Sequence, residues 1–245
     1  MLAYHGTPIS GNGVEIARFL TGRHALVSFA NQQDMAIVAK TCASFVLDNG
    51  AFTFWKGGKT PDWNKYYQWV NEWATHPGYV WHLIPDIIDG SEDDNWRLMF
   101  EYRNAAPLGV GVFHMHESMA HLDRMVDTAA TTSGRIALGS SGQWPTPGKA
   151  DWWLRMAEIM NVVCDSKGRP RCKLHGLRML NPAIFTKLPL SSADSCTCGR
   201  NCGDTDRWEG GYKPPRSSQR AEVLAWRIEH FNSAAAWDWA VMTCP

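Results

Sequence analysis

Residues 79–114, YVWHLIPDIIDGSEDDNWRLMFEYRNAAPLGVGVFH, contain one complete round of the pattern that decides the fold. Tyr79–Ile84 is a short apolar, β-prone run, Asp93–Arg103 carries a helical pattern, and Gly109–His114 is β-prone again. The same alternation extends in both directions. Upstream lie the β-prone runs Leu2–His5, Ala25–Phe29 and Ser44–Asp48, with helical patterns near Gly13–Leu20, Gln32–Thr41 and Asp62–Trp73. Downstream lie Arg135–Gly139, Lys173–Leu177 and Leu188–Asp194, with helical patterns at Ser118–Ala129, Lys149–Met160, Pro182–Lys187 and Ser217–Phe231. Eight strands alternating with helices predict an α/β fold, a (β/α)8 barrel, as a single domain over residues 1–245. With 245 residues, 44% of them hydrophobic, the chain can bury a core of that size.

No stretch is apolar and long enough to span a membrane, and the start lacks the charged and apolar regions of a secretory signal. The expected compartment is therefore a reducing cytoplasm, where the cysteines need not pair. Net charge is zero, which argues against binding nucleic acid through overall electrostatics, yet the charge is unevenly spread. From Ser166 to Ala193 there is no Asp or Glu, while Lys167, Arg169, Arg171, Lys173, Arg178 and Lys187 fall in that stretch and Arg200 follows it. Such a run is either a phosphate-binding surface or a solvated face without a partner. Most of the 13 tryptophans recur at helical spacing, which assigns them to core packing.

In a barrel of this class the chemistry sits at the C-terminal ends of the strands. Asp48, Asp86, His114, His116, the Gly139–Gly142 turn, His175 and Asp194 all fall there. Three aspartates on different strands could hold a divalent metal, cap the following helices, or divide acid, base and nucleophile roles. The histidines His5, His114, His116 and His175 could form a hydrolase metal centre or make single hydrogen bonds. Beyond Asp194 comes Cys196-x-Cys198-x3-Cys202, with His230 in a later amphipathic stretch. Three close thiols and a distant helical histidine have the composition of a closed structural zinc site over about residues 194–232; ordinary reduced thiols are the alternative. Cys42, Cys164, Cys172 and Cys244 are scattered and read as buried apolar thiols.

Taken together, Asp48-Asn-Gly-Ala-Phe, Lys173-Leu-His-Gly-Leu-Arg-Met-Leu and Leu188-Pro-Leu-Ser-Ser-Ala-Asp194-Ser resemble the tRNA-guanine transglycosylase superfamily. The likeness is greatest to its short phage-type members, which place 7-deazaguanine bases in DNA. It runs across nearly the whole chain, with Asp48, His175–Gly176 and Asp194 as its most specific points. The resemblance implies that Asp194 attacks C1′ of the target nucleoside and forms a covalent glycosyl-enzyme, with Asp48 as general acid/base. It implies that Asp86 reads the N1 and N2 edge of guanine, that His116, His175 and Gly176 lie by the base, and that Gly139 and Ser140 offer backbone amides to O6. It also implies Zn2+ on Cys196, Cys198, Cys202 and His230, with Cys244 as the substitute should Cys196 pack beneath the nucleophile. Phosphate contacts fall to Lys167, Arg169, Arg171, Lys173, Arg178 and Arg200. A phage-encoded protein of this kind would work in a bacterial host's cytoplasm.

The function expected is DNA-guanine transglycosylation, with DNA and a free base such as 7-cyano-7-deazaguanine as partners. DNA is favoured over tRNA because the chain leaves little room for a tRNA-docking domain. The rivals are a tRNA-acting transglycosylase, a metal-dependent barrel hydrolase, and a zinc-stabilised nucleic-acid-binding module without catalysis. Whether the chain works as a monomer or a homodimer is not specified by the sequence.

Overall fold

The computed structural model describes residues 1–130 and 132–242, so Cys244 lies outside the described residues. Eight parallel strands close into a barrel in sequence order: β1 (Leu2–Gly6), β2 (His24–Ser28), β3 (Ser44–Asp48), β4 (Tyr79–Leu83), β5 (Gly109–His114), β6 (Arg135–Gly139), β7 (Lys173–Gly176) and β8 (Ser192–Ser195). Closure is made by β8 against β1, with Asp194 opposite Tyr4. Around the barrel run α1 (Gly13–Leu20), α2 (Met35–Thr41), α3 (Ala51–Lys56), α4 (Trp63–Trp73), α5 (Glu92–Tyr102), α6 (Met119–Ala130), α7 (Ala150–Val163), α8 (Pro182–Phe185) and α9 (Ser217–Glu229). Among the described residues no helix is long and apolar enough to cross a membrane.

The period-2 alternation of strand side chains separates two cores. Tyr4, Leu26, Val46, Trp81, Leu83, Val110, Val112 and Ala137 point inward and fill the barrel. Their sequence neighbours, such as Ala25, Val27, Phe45, Leu47, Phe113, Leu138 and Ala193, point outward and pack under the helices. Counting in twos from the inner set places Asp48, His114 and Asp194 on the inward register, one layer above the apolar filling. The sequence thus delivers three of the polar side chains named at the strand ends to the cavity end of the interior, above the apolar filling.

Two elements differ from expectation. The eighth strand begins at Ser192 rather than Leu188, because Pro189 has no amide to give a ladder; Leu188 and Leu190 pack into the outer core instead. The segment after Asp48, expected as a turn, continues into α3. Asn49 Oδ1 accepts from the Ala51 amide at 2.9 Å, and Gly50 is left-handed at φ 78°. A Cβ at Gly50 would stand 3.0 Å from the Ala30 amide, so both conformation and space call for glycine.

Candidate active site

A cavity of roughly 900 Å³, counted out to its solvent-open mouth, occupies the C-terminal end of the barrel. Asp48, Asp86, His114, Gly139, Ser140, Arg178, Asp194 and Arg200 all line it. The structure therefore brings Asp48 of β3, Asp86 of the loop after β4 and Asp194 of β8 to one space, although they are far apart in the chain.

Each carboxylate is held differently. Asp86 is clamped on both oxygens: Oδ1 accepts from Asn49 Nδ2 at 2.6 Å, and Oδ2 lies 2.9 Å from His114 Nε2. Asn49 also donates to the Ile84 carbonyl at 2.7 Å, which ties β3's end to β4's. Burial disfavours a charged His114, yet the neighbouring Asp86 and Glu117 carboxylates outweigh it and raise the imidazole above its ordinary value. Asp194 Oδ1 accepts from the Arg178 amide at 3.0 Å and stands 3.4 Å from His175 Nε2, while Oδ2 has no hydrogen-bond partner among the described residues. Asp48 is pushed up to about 7, first by burial and then by the charges of Asp194 and Asp86, with contributions from Ser28 and Gly50 acting the other way. At neutral pH it is poised between acid and base forms, as proton transfer in either direction requires.

The walls are tied to the outer shell. Trp152 on α7 is fully buried and donates to Ser140 Oγ at 2.9 Å, which fixes the turn after β6. Arg178 takes a left-handed backbone (φ 59°), donates through Nη2 to the Ser140 carbonyl at 2.8 Å, and sets its guanidinium 4.5 Å from the Phe52 ring centre. Arg178 follows β7 and Phe52 follows β3, which are opposite strands of the eight. Their contact therefore spans the mouth.

Several expected residues sit elsewhere. His116 is exposed on the loop after β5, between Ser141 Oγ and the Gly90 carbonyl at 3.0 Å each, and does not line the cavity. His114, two residues earlier and on the inward register, takes the place by Asp86. His175 points inward but one layer too low, its ring fully buried beneath Asp194. Gly176 points outward, where a Cβ would meet Leu190 and Met179 at 2.9 Å, so its glycine serves close packing rather than a ligand. Lys167, Arg169, Arg171 and Lys173 lie in or just after the connection from α7 to β7. That connection projects at the N-terminal end of the barrel, away from the cavity. Arg171 is paired there with Asp123 and Asp127 at 2.6 Å, and Arg169 with Asp165 at 3.3 Å. Of the six candidate phosphate contacts only Arg178 and Arg200 reach the mouth.

The four expected zinc ligands do not converge. Cys196 lines the cavity, with its thiol pushed up to about 11 by burial and by Asp194. Cys198 and Cys202 are buried in the outer core, and Cys202 Sγ lies 3.7 Å from the Ser217 carbonyl. His230 is exposed against Trp226 and Phe231. Among the described residues no three His, Cys, Asp or Glu side chains form a group that could hold a metal ion. The loop and helix are secured by other means. Gly199 packs so closely on Gly6 and Pro8 that a Cβ would stand 2.8 Å from the Gly6 carbonyl. On α9 it is Glu229, beside His230, that meets buried His5 at 2.8 Å and Arg23 at 3.1 Å.

Asn49 and Phe52 are cavity residues to which the sequence reading gave no role; His114 was named there only as a strand-end histidine, and Cys196 lies near Asp194, as the alternative to its zinc role had it. Inward alternation from Val110 and Val112 would have selected His114.

No family model matches the chain, and no curated protein matches it. Among solved structures it is similar to a protein assigned as a fructose-1,6-biphosphate aldolase from Coccidioides immitis, with a TM-score of 0.52 and 13% identity over 93% of this chain and 89% of that one. At that identity the likeness shows the fold, an eight-stranded α/β barrel, and no more.

Proposed function

We propose that the protein is a base-exchange transglycosylase, which replaces guanine in DNA by a 7-deazaguanine such as 7-cyano-7-deazaguanine. One observation carries the reading: three inward aspartates share a cavity, and they are a carboxylate with a free oxygen, a carboxyl poised near neutrality, and a carboxylate clamped from two sides. Acid/base chemistry on a flat, hydrogen-bonding ligand next to a nucleophile needs those three roles.

Asp194 Oδ2 attacks C1′ as the bond from C1′ to guanine N9 breaks, and the bonding pair leaves with the base. Asp48 supplies the proton that the departing base takes up. In the return step the incoming base loses its ring N–H proton to Asp48, its nitrogen attacks C1′, and the ester bond to Asp194 opens. Asp86, held still by Asn49 and His114, has lone pairs left for the N1 and N2 protons shared by guanine and the deazaguanine. Because the carboxylates sit inside the barrel, a nucleotide within a duplex must be flipped out to reach them, at a cost of a few kcal/mol.

DNA rather than tRNA rests on the resemblance to the DNA-modifying members. An aldol reaction through a Schiff base would require a cavity amine, and no lysine is among the lining residues. A zinc on Cys196, Cys198, Cys202 and His230 is no part of the mechanism, since those side chains do not assemble into a tetrahedral set.

The test is incubation with duplex or single-stranded DNA, or with tRNA in parallel, plus 7-cyano-7-deazaguanine, followed by digestion and mass analysis of nucleosides. The deazaguanine nucleoside is expected in the DNA arms. Its appearance only in tRNA would move the substrate, and its absence from both would overturn the reading.

A further inference from the structure

A chain of hydrogen bonds runs up the inside of the barrel from Arg135 to His175, whose Nε2 faces Asp194. At its foot Arg135, on β6, donates through Nη1 to Ser191 Oγ at 2.7 Å and to Ser192 Oγ at 3.0 Å. Ser192 Oγ lies 2.9 Å from His175 Nδ1. An arginine can only donate, so the Ser192 oxygen is the acceptor there and its own proton is free for His175 Nδ1. A neutral imidazole that accepts at Nδ1 carries its proton on Nε2, and burial keeps His175 neutral by lowering it from its ordinary value. His175 Nε2 has no closer partner among the described residues than Asp194 Oδ1, at 3.4 Å. The ring cannot swing away: Tyr4 and Trp81 pack edge-on against it, with centres 6.0 and 4.8 Å distant. Asp194 and Arg135 are the charged groups that face it.

We propose that His175 is a positioning residue for Asp194, fixed by Arg135 and Ser192 as the tautomer whose Nε2–H faces Oδ1, so that Oδ2 is the oxygen that attacks. The Arg178 amide and the His175 N–H approach the same oxygen, and a small shift of the carboxylate shortens the 3.4 Å gap to an ordinary hydrogen bond. When Oδ2 becomes the ester oxygen, Oδ1 becomes the ester carbonyl. His175 keeps its proton throughout and donates to that carbonyl, and donates again to the carboxylate as the ester opens. The role rests on the transglycosylase reading, whereas the tautomer does not.

Two measurements separate them. In the 15N spectrum of histidine-labelled wild-type protein, His175 is expected to show a protonated Nε2 and an unprotonated Nδ1 across the neutral range; in Ser192→Ala, which removes the donor to Nδ1, that preference is expected to weaken. A proton on Nδ1 in the wild type overturns the proposal whatever the enzyme does. In exchange of labelled guanine into DNA, His175→Leu is expected to lower kcat roughly 10²-fold with KM nearly unchanged, as misplacement of a reacting group does. His175→Gln, which returns an N–H donor at similar reach, is expected to recover part of the loss. A folded His175→Leu with wild-type kcat overturns the role; should that variant not fold, the kcat of His175→Gln against Ser192→Ala and the wild-type spectrum decide. A wild type that exchanges no guanine removes the transglycosylase reading while leaving the spectrum to judge the tautomer.

Discussion

At the N-terminal end of the barrel Arg171 meets Asp123 and Asp127, and Arg169 meets Asp165. At the C-terminal end Asp48, Asp86 and Asp194 share one cavity, and among the described residues no lysine or arginine side chain forms an ion pair with any of them. The first arrangement is what solvent-exposed charge does when nothing else is asked of it, and it contributes little to stability. The second raises the energy of the folded state, since like charges are gathered in a poorly solvated space. An arrangement that costs stability at the strand ends, in a cavity open to ligand, supports the catalytic role proposed for it.

The sharpest way to break this contrast is Asp194→Ala. Guanine exchange is expected to fall by about 10⁴-fold or more, with no covalent adduct on DNA in denaturing gels. Exchange that survives the change refutes the assigned nucleophile.

Asp48→Asn comes next, with an expected loss of about 10² to 10⁴ in exchange, as for removal of a general acid/base. The same substitution should stabilise the fold. Asp48 titrates at about 7 in the folded protein, above the ordinary carboxylate value near 4 expected when unfolded. Below about 4 the group is neutral in both states and burial of charge costs nothing. Between about 4 and 7 the penalty grows, and above 7 it is complete, on the order of a few kcal/mol. The melting temperature of Asp48→Asn should therefore exceed wild type at pH 8, with the gain vanishing toward pH 4. A gain that is the same at both pH values would show that Asp48 is not the buried, shifted group.

The smallest effects compare arginines at the two ends. Arg171→Ala should leave exchange within about twofold and cost no more than about 1 kcal/mol in urea unfolding. Arg178→Ala removes a guanidinium from the mouth and should raise the KM for DNA several-fold, with a weaker salt dependence of binding. Equal responses from the two would erase the distinction between the ends.

The barrel was legible because each β-prone run is followed by a helical pattern, and strand order in such a fold follows chain order. The aspartates were legible because Asp48 and Asp194 end such runs and Asp86 follows one by two residues. The function of the basic run Lys167–Lys173 was not read from its composition, since charge along a chain does not say which end of the barrel it faces. Element order does say it: a loop between a helix and the next strand lies opposite the catalytic end. His116 and His114 are likewise alike as letters and separated only by register. The zinc ligands were grouped by spacing, yet Cys196 and Cys198 leave β8 in different directions, one toward the cavity and one toward the outer core, which spacing cannot show.

The contact between Arg178 and Phe52 has a bearing on traffic. It lies as a bar across the doorway, held by one exposed cation–π contact and one hydrogen bond, together on the order of 1–2 kcal/mol. A bar that weak stands open in between a few and roughly fifteen per cent of molecules at any instant. On the proposed reading, an opening of that frequency gives one base a way out and another a way in while Asp194 holds the strand.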